Sequence, residues 1–365
     1  MTNKQMLRVA IAVLAGIVLS TVSVSVAAAQ ESKLRIIQTN SAGDNIHIID
    51  PATNKVVGEI KGIEASHGIA VSPDGRRIYI SEEAQKTLTV VDGKTLQVTK
   101  QIPLSGNPNL VDMTPDGRWI YVAIAQTWDD LSEFPQIKAN ASGGVDVIDT
   151  VSLANVKTIP MRGGVHDLNV TPDGKFVIAG SSRGAKPPAN TMNVIDTRTN
   201  EIAWKLLMNP APSPMAISTN PDGSTKWIFA QLGGLNGFAV VDFATQAKIN
   251  EIKLPEIPRE KQIAYGPPAP SHGIAVTSDQ KTLLVNSRLN STLYAYSLPD
   301  LKLLGGVALG GKGAGWLTVT PDDKTAYVAN EHTNDVSVVD IKALKEIALI
   351  PVGFAPARNT TWMLR

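Results

Sequence analysis

Short apolar runs separated by turn residues recur along the chain in a fixed order. The unit opens with an apolar run and a tight turn, Gly68-Ile-Ala-Val-Ser-Pro73-Asp-Gly75. The turn returns as Thr114-Pro-Asp-Gly117, Thr171-Pro-Asp-Gly174, Asn220-Pro-Asp-Gly223, Thr277-Ser-Asp-Gln280 and Thr320-Pro-Asp-Asp323. Pro presets φ, Asp bonds its own backbone and Gly takes the left-handed position, which predicts a hairpin between two strands. The second run is β-branched and aromatic, as in Ile78-Tyr-Ile-Ser81, Ile120-Tyr-Val-Ala123 and Trp227-Ile-Phe-Ala230. The third ends in a turn-opening Asp, as in Val90-Val-Asp92, Val147-Ile-Asp149 and Val338-Val-Asp340. A fourth, more polar strand follows each, such as residues 97–102.

Successive turns lie 42 to 57 residues apart, the length of a four-stranded blade. The N-terminal segment holds second, third and fourth strands without a first: Ile36-Ile-Gln-Thr-Asn40, Ile46-His-Ile-Ile-Asp50 and residues 56–60. Residues 359–364 supply a lone first strand. One blade cannot bury both its faces, so blades stack around an axis, and a blade shared by the two ends closes the ring. The expected fold is all-β, a seven-bladed β-propeller of four-stranded antiparallel blades. Residues 30–365 form its single domain. A β-helix or stacked solenoid is the competing architecture, and the split blade argues against it.

The run Ala326-Tyr-Val-Ala-Asn330, followed by Val336-Ser-Val-Val-Asp340 and preceded by a Pro-Asp turn, resembles the YVTN β-propeller repeat family. The resemblance covers essentially the whole chain after residue 29. It implies an exported or cell-surface protein whose wider relatives include lactonase-like propellers and the propellers of nitrous oxide reductase and cytochrome d1. It does not choose an activity among these.

Residues 1–29 read as a secretory signal peptide. Lys4 and Arg8 are basic, residues 9–19 are apolar, and Ala27-Ala28-Ala29 precede Gln30 at the cleavage position. Cleavage would leave no membrane span and a periplasmic or secreted protein. The chain has no cysteine, which excludes disulfides, a thiol nucleophile, an iron–sulfur cluster and covalent haem. A formal charge of +1 gives no reason to expect nucleic acid.

In a propeller the innermost strand A lines the axis. The loops entering A and the B–C loops share one face, and the A–B and C–D turns share the other. The two long insertions, residues 126–144 and 254–271, both fall on the first face and carry aromatic residues including Trp128. Long loops on a rigid scaffold are common places for binding and catalysis.

Three of the five histidines, His67, His166 and His272, sit six residues before the turn Pro or its equivalent. That places them at the start of strand A in blades 2, 4 and 6. The same position holds Asn109 in blade 3, Met215 in blade 5 and Gly315 in blade 7, and lies near Arg358 in blade 1. Three imidazoles at the axial mouth would suit Zn or Cu with an open fourth position. Alternatively, each His bonds only backbone or water. Glu82, Glu83, Arg183, Gln231, Arg288, Glu331 and His332 add polar groups from B–C loops. Arg288 and Arg358 suit a carboxylate. His47 reads as structural and Trp316 as core packing.

These residues leave two readings. The first is a module that binds a small molecule or a protein partner at the mouth. The second is an enzyme there, either metal-dependent through the three His or a lactonase-like hydrolase.

Overall fold

The computed structural model describes residues 33–127, 142–182, 187–263 and 269–364. The segment 1–29, Trp128 and Arg183 lie outside the described residues. Twenty-eight strands form seven four-stranded antiparallel sheets, and there is no α-helix among the described residues. Six sheets are consecutive blades. Their inner strands are β4 (Ser66–Val71), β8 (Gly106–Met113), β12 (Val165–Val170), β16 (Pro212–Thr219), β20 (Ser271–Val276) and β24 (Ala314–Val319).

The seventh sheet, blade 1, has the order β28-β1-β2-β3. It joins the C-terminal β28 (Pro356–Leu364) to β1 (Lys33–Asn40), β2 (Asn45–Asp50) and β3 (Lys55–Lys61). β28 runs antiparallel to β1, with Ile36 opposite Thr361 and Gln38 opposite Asn359. The shared closing blade is therefore present.

The turns follow their predicted chemistry. Gly75, Gly117, Gly174 and Gly223 take φ of +72°, +71°, +71° and +84°. Gln280 and Asp323, which stand where Gly is missing, still take +60° and +57°. The turn Asp accepts the N–H two residues on, as Asp74 does from Arg76 at 3.0 Å and Asp116 from Arg118 at 2.9 Å.

The core lies between neighbouring blades, where alternate apolar residues of facing sheets interdigitate. Ile37, Ile48, Ile60, Ile69, Ile78 and Trp362 pack as one cluster between blades 1 and 2. Two buried tyrosines also clasp adjacent blades. Tyr121 donates to Asn200 Oδ1 at 2.6 Å and Tyr327 to Asn54 Oδ1 at 2.8 Å. Burial pushes the Tyr327 phenol up to about 12.

The outer strands match their polar sequence. β3 has one buried residue in seven, so the sheets pack inward through strands A to C. His47 lies within β2 beside Glu59, as a strand residue, and burial lowers its imidazole's affinity for a proton.

Candidate functional site at the axial mouth

The first residues of the inner strands carry a β-bulge. Register shifts fall between Ser66 and Ile69, between Val165 and Asp167, between Ser271 and Ile274 and between Ala314 and Leu317. A bulge re-aims the side chains it displaces. The Ser-His-Gly copies show why Gly follows His. A Cβ on Gly68 would lie 2.6 Å from Asn109 O, and one on Gly273 would lie 2.8 Å from Gly315 O. The next blade's inner strand therefore packs against the Gly.

The preceding imidazoles meet across the axis. The His67 and His166 ring centroids are 6.4 Å apart and edge-on, and those of His166 and His272 are 6.1 Å apart. Trp316 completes the group. Its centroid is 4.4 Å from that of His272, 6.2 Å from that of His67 and 6.4 Å from that of His166. The His166 and Trp316 planes are nearly parallel, at 9°. Arg358 sets its guanidinium carbon 4.8 Å from the Trp316 centroid, a cation–π contact. Asn109 stands at the equivalent register on β8, between β4 and β12.

Each imidazole is oriented through Nδ1. His67 Nδ1 lies 3.2 Å from Glu83 Oε1, His166 Nδ1 2.6 Å from Ser213 Oγ, and His272 Nδ1 3.0 Å from Gly315 O. A carbonyl only accepts, so His272 carries its proton on Nδ1. A carboxylate at His67 Nδ1 likewise favours the tautomer with a lone pair on Nε2. His67 Nε2 is buried and has no hydrogen-bond partner, as is Asn109 Oδ1. Deeper in the channel Asp112 accepts the N–H groups of Met113 at 2.8 Å and Val170 at 2.7 Å. Burial raises its carboxyl pKa, and those two bonds and the Arg358 charge oppose the rise.

Blade 7 fills its version of the His position differently. Arg288, 3% exposed, forms an ion pair with Glu331. A Cβ on Gly315 would collide with Glu331 Oε1, so the missing side chain at 315 makes room for that pair. The Arg288 N–H is bound to Pro270 O at 2.8 Å, and Ile263 N–H to Leu289 O at 2.6 Å. Those bonds tie the described part of the long loop before β20 to the Arg288 turn.

The remaining predicted residues separate. His332 is exposed and packs near Gly313, and Met215 is buried in the apolar seam of blades 4 and 5. In blade 5 it is Ser213 that reaches His166. Trp316 is 3% exposed and belongs to the core, as read from the sequence, yet it is also the ring that all three histidines border. The sequence signal for that second role was its place immediately after Gly315. Glu83 was legible only as one acid among several on the B–C loops.

The three rings stand wider than imidazoles drawn onto one shared ion. Three imidazoles sharing one tetrahedral ion through nitrogens at about 2 Å bring their centroids to about 5 Å. The measured separations are 6.1 and 6.4 Å, with an indole beside all three rings. No group of three His, Asp or Glu among the described residues is disposed to hold an ion.

No protein-family model matches the chain, and no curated protein matches it. Solved structures do. A hydrazine synthase chain of Kuenenia stuttgartiensis aligns with TM-score 0.68 at 20% identity, over 83% of this chain and 91% of that one. The dihydro-heme d1 dehydrogenase NirN aligns with TM-score 0.61 at 16% identity, over 89% and 74%. The periplasmic gluconolactonase PpgL of Pseudomonas aeruginosa aligns with TM-score 0.67 at 16% identity, over 91% and 100%. At these identities the likeness is one of fold, and the chain shares the seven-bladed propeller with all three.

Proposed function

We propose that this protein is an exported propeller that binds a small polar, anionic ligand at the axial mouth. One observation carries the reading. Imidazoles from three blades, an indole and a guanidinium converge there, with His67 Nε2 and Asn109 Oδ1 buried without protein partners. Buried polar atoms are almost always bonded, so a pair left open at one mouth suits a ligand with its own donors. Export rests on residues 1–29 and on the YVTN resemblance of the repeats. Two of the structural neighbours also bear on the ligand, since one is a gluconolactonase and the other is a dihydro-heme d1 dehydrogenase in complex with DHE.

Calorimetric titration with gluconate tests the reading. Wild type binds it, and Arg358→Leu weakens binding about tenfold through loss of one charge-assisted contact. Absence of binding by wild type, or an unchanged affinity in Arg358→Leu, overturns it.

A second reading, lactone hydrolysis, is favoured by the His67–Glu83 contact. Glu83 orients His67, whose Nε2 takes a proton from water. The water oxygen bonds to the lactone carbonyl carbon. The ring C–O bond then breaks, and the imidazolium returns the proton to the leaving alkoxide. Arg358 borders the same Trp316 ring as His67 and is the cation that would meet the transient oxyanion. Proton release from δ-gluconolactone is the assay. His67→Ala is expected to lower kcat about a hundredfold and Glu83→Gln about tenfold. A rate that survives His67→Ala removes this reading. A rate that a chelator abolishes replaces it with the three-histidine metal reading.

A further inference from the structure

A second cavity lies on the opposite face, where the A–B and C–D turns meet at the seam of blades 5 and 6. It measures about 190 Å³. Its walls come from the end of β16, from the start of β17 (Thr225–Leu232) and from the turns at Gln280 and Pro299. The Gln280 amide bridges the seam, its Oε1 accepting Thr219 N–H at 2.8 Å. Trp227, Leu298 and Pro299 make apolar walls.

Two features distinguish this cavity from ordinary blade packing. Ser218, 4% exposed, lines it, and its Oγ is buried with no hydrogen-bond partner. The Lys226 ammonium sits 4.3 Å from the Trp227 ring centroid, with no acid at ion-pair distance among the described residues. Blade 3 carries the same stack in a satisfied form. There Arg118 lies 4.3 Å from the Trp119 centroid and is also paired with Asp149 Oδ2 at 2.6 Å. Both turn acids accept turn N–H groups, Asp149 from Val151 and Ser152 and Asp242 from Thr245, but the partner from the second strand is Arg118 for Asp149 and the Trp227 indole for Asp242, whose carboxyl is held below the usual range chiefly by the Thr245 N–H. The cation of blade 5 is therefore left for a ligand.

We infer that the seam of blades 5 and 6 is a binding site for a small carboxylate with a flat apolar body. Lys226 and the Ser218 hydroxyl meet the carboxylate, and Trp227, Leu298 and Pro299 hold the body. The size agrees, since an apolar protein cavity of about 150 Å³ accommodates benzene. The site is independent of the axial mouth.

Benzoate is the probe, with neutral benzamide as control, read through the indole N–H signals of the six tryptophans. Benzoate is expected to move one indole signal, the one missing from Trp227→Phe. Benzamide and the Lys226→Gln variant should each bind about tenfold more weakly, the worth of one partly desolvated charge contact. Ser218→Ala should fold as wild type, because its hydroxyl is unbonded in the free protein, and weaken benzoate about fivefold. Gluconate should not displace benzoate. Equal affinity for benzamide, an unchanged Lys226→Gln, or benzoate movement of an indole other than Trp227 overturns the inference.

Discussion

Trp362→Ala should destabilise the propeller by about 4 kcal/mol, the usual cost of removing a large buried aromatic side chain and leaving its cavity. Trp362 is 2% exposed and lies on β28, the strand that closes the ring. Its indole N–H donates to Gly75 O at 2.9 Å, so it fastens blade 1 to the first turn of blade 2. The other turn on that face of blade 2 also fits the ring closely, because a Cβ on Gly93 would lie 3.1 Å from Trp362 Cζ2. Collapse around the gap would need the β28–β1 pairing to shift, which the register from Lys33–Leu364 to Gln38–Asn359 opposes. Trp362→Phe keeps most of the ring and leaves Gly75 O without its donor, so about 2 kcal/mol is expected. Urea unfolding of the three proteins checks the order. A Trp362→Ala loss under about 1 kcal/mol would mean that β28 is not needed to hold the ring closed.

Glu331→Ala should cost a similar amount, about 4 kcal/mol, for an electrostatic reason. Arg288 is 3% exposed, and its ion pair with Glu331 lies beneath the Gly315 backbone. Removing the carboxylate takes the Glu331 ion pair away from a buried guanidinium. Water reaches it poorly, and unlike a lysine it cannot shed its proton. The double variant Arg288→Leu/Glu331→Leu should recover most of the loss, because the charge and its partner leave together. Denaturant midpoints of the two single variants and the double variant form the cycle. A double variant as unstable as Glu331→Ala would show that packing, rather than burial of the charge, sets the cost. The same pair stands at blade 7's version of the position that blades 2, 4 and 6 fill with a histidine, so its loss should also disturb the His272–Gly315 contact at the mouth.

The architecture was legible because it is written in local chemistry. Every Pro-Asp-Gly turn needs a residue at positive φ, and each Val-Val-Asp run marks the end of a half-buried strand. Those demands repeat on the chain whatever lies across the axis. The lone strand near Asn359 and the three orphan strands after Ile36 had no other partners, so ring closure followed from edge pairing. The position of His67, His166 and His272 at one end of the inner strands was also legible, from their equal distance to the turn.

The convergence of the site was a different matter. Whether imidazoles of alternate blades touch depends on the channel radius and on bulges at the strand starts, and neither is encoded in a repeat period. Trp316 reads as core in any apolar run. Only the ring geometry sets it beside three histidines and beneath Arg358. Gly315 reads as a flexible turn residue, and only packing shows that it clears space for Glu331. The expected metal site turned on the same distinction, since spacing along the chain brought three imidazoles to one mouth and only the structure gives their ring separations, 6.4 and 6.1 Å. The sequence by itself determined the strands, the turns, the seven blades and the shared position of His67, His166 and His272 on their inner strands, because hydrogen bonding and burial are settled within each hairpin. The tertiary structure alone decided which of those residues meet, because contacts at the axis join different blades, from Trp316 with Arg358 to His67 with Trp316, and no pattern within a hairpin relates them.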